Sequence, residues 1–148
     1  MLDTLLQATI ALAQSALAVL GTPLVRQGEL LRHAGGFVAQ VDLSCTALWP
    51  AAMGSMALCV AGALRGCAPL RLAGLVAGGV GVIALVNQLR LVGVIWVGVH
   101  APAHFEWVHV AAGPMLLVAA GAALVFVALA QPALRRAPGA GQARPVRA

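Results

Sequence analysis

The chain has 148 residues, of which 61% are hydrophobic and only 9% charged, with nine basic residues against four acidic ones. That length suits one domain, and a soluble domain of this size has no interior large enough to hide so much apolar side chain. The basic residues are all arginine and mostly flank apolar segments, which excludes a nucleic-acid surface and points instead to a chain fixed across a lipid bilayer.

Four apolar segments follow one another: about Leu5 to Leu20, Thr46 to Leu64, Leu72 to Val99 with room for a kink, and Glu106 to Leu129. They predict an all-α membrane protein, a bundle of about four transmembrane helices over residues 1–131. The Ala16-Leu17-Ala18 run looks like a signal-cleavage site, but Asp3 and no Lys or Arg precedes it, so the first segment is expected to stay as a helix.

Residues 21–44 are too polar to span. Apolar pairs alternate there with polar residues and with Gly28 and Gly35-Gly36, predicting a small extracytoplasmic hairpin-like loop between helices 1 and 2. Residues 132–148 are rich in Pro, Gly and Arg and are expected to form a basic, disordered cytoplasmic tail.

Arginine placement gives orientation. Arg65 and Arg71 lie in the loop between segments two and three; Arg135, Arg136, Arg144 and Arg147 lie in the tail. Four spans put both on one side, the cytoplasm, and leave residues 21–44 and 100–105 outside an inner, cytoplasmic membrane. Trp49, Trp96 and Trp107 fall near the same outer boundary, as interfacial anchors do. Gly74, Gly78, Gly79 and Gly81 along segment three are candidates for close helix approach.

Helical rise then serves as a ruler. Arg90 lies 19 residues after Arg71, Cys45 lies 20 before Arg65, and His109 lies 22 before Gln131. At about 1.5 Å per residue these heights are roughly 28, 30 and 33 Å above the inner face. The hydrocarbon core is about 30 Å thick. All three residues therefore reach the outer surface, from three different helices.

Their chemistry is complementary. A cysteine attacks as its thiolate, which a nearby cation or a helix N-terminus favours. Cys45 is expected at such a terminus. His109 is placed to take the thiol proton and return it to a leaving amine. Arg90 is placed to bind an oxyanion or a carboxylate. Taken singly, Cys45 reads as packing, as Cys59 and Cys67 do, and His109 as an interfacial anchor; an intramembrane arginine is a functional candidate by default.

These residues resemble a known family. LGTPLVRQGELL precedes the cysteine, NQLR stands at residues 87–90, and His109 precedes Gly113 by four. In this order they are similar to the motifs of the exosortase/archaeosortase membrane cysteine transpeptidases, over roughly residues 20–114. The resemblance implies an enzyme that cleaves C-terminal sorting signals of membrane-tethered exported proteins at the outer face and transfers them to an acceptor. It implies Cys45, Arg90 and His109 as catalytic residues, with Asn87 and His104 beside the substrate and His104 as the second candidate for the histidine.

The chain departs from the family pattern in reading Thr46-Ala47 after the cysteine, where Ser-Gly or Asn-Gly is usual. Leu43 stands where an acidic residue is often found, with Asp42 one position further back, and fuller members carry more N-terminal spans. A partner membrane subunit is therefore one expectation. The competing expectation is a non-catalytic small membrane protein, an assembly factor or transporter subunit. No cofactor or metal is expected: the three cysteines match no metal spacing, and His100, His104 and His109 share one short region with no second helix to complete a haem pair.

Overall fold

The structure, a computed structural model, describes residues 2–130. The expected tail lies outside the described residues. Helix α1 runs Leu2–Val19 and ends at Gly21, whose φ of +74° lets the Thr22 N–H return to the Leu17 carbonyl at 2.8 Å.

The loop that follows is one strand richer than a hairpin. Strands β1 (Leu24–Gln27), β2 (Leu30–His33) and β3 (Val38–Gln40) form an antiparallel meander in that order. Gly28 and Gly35-Gly36, read from the sequence as punctuation, are the two turns. The second one allows Phe37 and β3 to continue the sheet, because the Phe37 carbonyl receives the His33 N–H at 2.9 Å.

A 3₁₀ turn at Leu43–Cys45 leads to α2 (Leu48–Leu64). The loop after α2 turns on Gly66, φ +64°, and Pro69 begins α3 (Pro69–His100). Segment three is thus one helix of 32 residues, roughly 48 Å long, which exceeds a hydrocarbon core by about 18 Å. The fourth segment is a continuous helical run of mixed pitch: a 3₁₀ turn at Pro102–His104, α4 (Phe105–Trp107), a π turn at Val108–Ala112, then α5 (Gly113–Ala130).

Three helical stretches are long and apolar enough to cross a membrane: Leu2–Val19, Pro69–His100 and Pro102–Ala130; α2 is apolar but shorter, at 17 residues. Large apolar side chains such as Leu85, Leu89, Val118 and Phe126 are exposed, as lipid-facing residues are in a bilayer.

The best-packed region is the sheet end. Leu6, Ile10, Ala13 and Leu17 of α1, Leu24 and Leu31 of the sheet, Val41, and Leu91, Val92 and Ile95 of α3 form one buried cluster. Helices α2 and α3 meet elsewhere through small residues. A β-carbon on Gly79 would come within 2.4 Å of Leu58, and one on Gly54 within 2.3 Å of Ile83. Of the four glycines singled out on segment three only Gly79 touches a neighbouring helix; Gly74, Gly78 and Gly81 have open space.

Candidate functional site

The last turn of the NQLR run sends each residue to a different task. Asn87, 1% exposed, donates from Nδ2 to the Cys45 carbonyl at 2.8 Å. Gln88 donates from Nε2 to the Thr9 carbonyl at 3.2 Å and ties α3 to α1. Leu89 faces outward. Arg90 enters a cavity.

That cavity, of about 160 Å³, is lined by Cys45, Arg90 and His109 together, with Val38 to Val41, Leu91, Val94, Ile95 and Phe105. Three segments far apart in sequence meet there at one level, because one turn of α3 touches both neighbours. Asn87 bonds to the cysteine segment, and Arg90 lies against Gly113. His104 and His109 are both exposed, but only His109 lines the cavity.

Gly113 makes room for the arginine. A β-carbon there would come within 2.7 Å of Arg90 Nε and 3.2 Å of its Cγ. Arg90 Nε is buried with no hydrogen-bond partner among the described residues. Buried donors are nearly always paired, so this Nε is an exception within the described residues.

His109 sits in the π turn, a distortion frequent at functional sites. Its ring stacks on Phe105 at 5.5 Å and 3° between planes, and Phe105 meets Phe37 edge-to-face at 5.5 Å. Phe37 and Phe105 in turn pack on Gly98 of α3, where a β-carbon would collide with Phe37 and press closely on Phe105. An aromatic column from the sheet tip therefore fixes the imidazole plane.

Cys45 is placed differently from expectation. It closes the 3₁₀ turn Leu43–Cys45, and α2 begins only at Leu48. The dipole of α2 acts mainly within its own first turn, so it contributes less to Cys45 than a cysteine at the helix start would receive. The turn itself is tightly held. Thr46, 1% exposed, donates from Oγ1 to the Leu43 carbonyl at 2.7 Å. Asp42 caps the turn: its carboxylate accepts the Ser44 N–H at 2.8 Å and the Ser44 hydroxyl.

The Ser44 hydroxyl is the main reason that the Asp42 carboxyl lies below its ordinary value of 3.8; the backbone N–H groups of Ser44 and Cys45 and the Cys45 thiol add to this, and slight burial opposes it. The Asp42 carboxylate thus reaches the cysteine as well as Ser44.

Cys59 is exposed on α2, Cys67 is half-buried in the following loop, and neither lines the cavity. Among the described residues no group of three or more His, Cys, Asp or Glu side chains is arranged to hold a metal ion. Sequence reasoning missed Gln88, Phe37, Phe105 and the strand wall of the cavity. The Gly35-Gly36-Phe37 run was the available signal, since a large aromatic at a glycine turn must find a surface to cover. No family model, no curated protein and no solved structure matches the chain.

Proposed function

We propose that the chain is a membrane cysteine transpeptidase or peptidase of the exosortase/archaeosortase kind, acting on membrane-tethered exported proteins with a C-terminal sorting signal. The observation that supports this most is the shared cavity of Cys45, Arg90 and His109. In this reading four spans sit in the inner membrane, the arginine-bearing loop and tail are cytoplasmic, and the cavity opens outward.

The chemistry is acyl transfer. His109 takes the thiol proton, and the Cys45 sulfur attacks the scissile carbonyl to form a tetrahedral oxyanion. Arg90 stabilises that charge. The C–N bond breaks, the amine leaves with the proton from His109, and a thioester remains on Cys45. An acceptor nucleophile, or water, gives its proton to His109 and attacks the thioester; the thiol is regenerated.

The test is thiol labelling of intact cells with a membrane-impermeant maleimide, in a variant with Cys45 as its only cysteine. Labelling from outside at neutral pH, slowed tenfold or more by Arg90→Gln or His109→Gln, is expected. Labelling indifferent to both substitutions would reduce Cys45 to a packing residue, and labelling only after the inner face is opened would reverse the orientation.

A further inference from the structure

The cavity has an unusual wall. Val38, Ala39, Gln40 and Val41 line it as consecutive residues. Side chains of a strand alternate between two faces, so a cavity that meets four in a row runs along the strand's edge and not over one face.

β3 is the edge strand of the sheet, and its hydrogen-bond phase can be worked out. The His33 N–H reaches the Phe37 carbonyl at 2.9 Å, and the Val41 N–H reaches the Glu29 carbonyl at 2.9 Å. In an antiparallel pair, hydrogen-bonded and non-hydrogen-bonded positions alternate. Phe37, Ala39 and Val41 therefore turn their backbone groups toward β2. Val38 and Gln40, paired with Arg32 and Leu30, turn theirs away from β2, and both residues line the cavity. The Arg90 side chain lines the same cavity.

We infer that the free edge of β3 binds an extended segment of the substrate polypeptide as a fourth strand, through the N–H and C=O groups of Val38 and Gln40. The inference rests on the function proposed above and adds to it how the substrate is held. Strand addition of this kind draws its affinity from main-chain hydrogen bonds, lays a peptide flat beside Cys45, and offers a carbonyl to Arg90. The opposite wall, Leu91, Val94, Ile95 and Phe105, selects small apolar side chains on the segment. A volume of about 160 Å³, on the order of ten waters, admits a short run of chain and not a second sheet.

The test uses the full chain, purified in detergent, with Cys45 as its only cysteine. Three alkylating probes are compared: acetyl-Ala-Ala-Ala chloromethyl ketone, the same peptide with a methylated central amide, and iodoacetamide. The parent peptide is expected to alkylate Cys45 at least tenfold faster than the methylated one. Gln40→Pro removes one outward N–H without touching the ladder to β2, which an edge strand tolerates. It is expected to bring the two peptides within about twofold while thermal unfolding, the check on the fold, still shows one cooperative transition.

Equal rates for the two peptides on the unaltered strand, with Cys45 reactive to iodoacetamide, would overturn strand addition and leave the acyl-transfer chemistry standing. A Cys45 inert to all three probes would remove both. A β3-paired dimer, dissociated by Gln40→Pro in sedimentation, would show the edge to be taken by a second copy and also overturn the inference.

Discussion

The Asn87 side-chain amide of α3 donates to the Cys45 backbone carbonyl at 2.8 Å, 42 residues away in sequence. One buried side chain thus sets the height of the cysteine against the turn that carries Arg90. The Asn87 Oδ1 is itself buried without a partner, which lowers the net gain from this residue. Asn87→Leu removes the orphan oxygen along with the donor. It also leaves the Cys45 carbonyl without its donor, so we expect a loss of about 1–3 kcal/mol and a clear drop in the iodoacetamide rate at Cys45. Thermal unfolding and alkylation kinetics on one preparation separate the two; an unchanged rate would dissociate Asn87 from the site.

Gly113 gives a sharper separation of folding from function. Alanine in a helix interior is ordinarily favoured over glycine by roughly 0.5–1 kcal/mol. At Gly121, where nothing lies within 4 Å, Gly121→Ala is expected to be neutral or slightly stabilising. At Gly113 the new methyl must displace the Arg90 side chain at its stem. Gly113→Ala is expected to keep the fold and lower Arg90-dependent labelling of Cys45 tenfold or more. Equal labelling of the two alanine variants would show that Arg90 has room to move aside at no cost.

The sheet is held to α3 by close contact at Gly98, where a β-carbon would stand 2.3 Å from Phe37. Gly98→Ala is expected to cost about 1–3 kcal/mol through overpacking and to loosen the aromatic column that orients His109. Phe37→Leu in the same background should restore part of the loss, because it trims the colliding ring. Failure of that rescue in thermal unfolding would locate the strain elsewhere.

Asp42 supplies a pH dependence. Its carboxyl is held below 3.8 in the fold, first by the Ser44 hydroxyl. A carboxyl lowered by folding contributes stability above its ordinary value and loses it as the pH falls through the lowered one. The turn bearing Cys45 should therefore loosen on acidification below about pH 4, seen as faster amide exchange at Ser44 and Cys45 after correction for the intrinsic rate. Asp42→Asn should abolish the pH dependence. A variant that still loosens over the same range would assign the effect to another group.

Much of this site was legible because helical rise is nearly constant. Arg71 to Arg90 is a distance along α3, and counting residues gave Cys45, Arg90 and His109 similar heights; all three line one cavity, although Cys45 stands on a separate turn before α2. The strand edge was harder to read. Residues 38–41 show no alternation strong enough to separate a third strand from a loop, and their partner β2 is set by the Gly35-Gly36 turn. The helix was expected to start beside Cys45, but α2 begins at Leu48, with Pro50 in its first turn; Asp42 and Thr46 build a separate turn first. His104 was close in sequence to the site, but the 3₁₀ turn carries it away to the surface.

The π turn at Val108–Ala112 has a consequence for how the protein can change. A π turn accommodates an additional residue in the helix and generally survives where function retains it. Deleting one residue from this stretch would restore an ordinary helical pitch and improve the local hydrogen bonding. It would also turn His109 relative to Gly113 and α5. Selection for heat resistance alone should find such deletions, and each should trade robustness against the alignment of the histidine with the cavity. On the acyl-transfer reading proposed above, the irregular turn marks a position where the most durable version of this helix and the most useful one are different sequences.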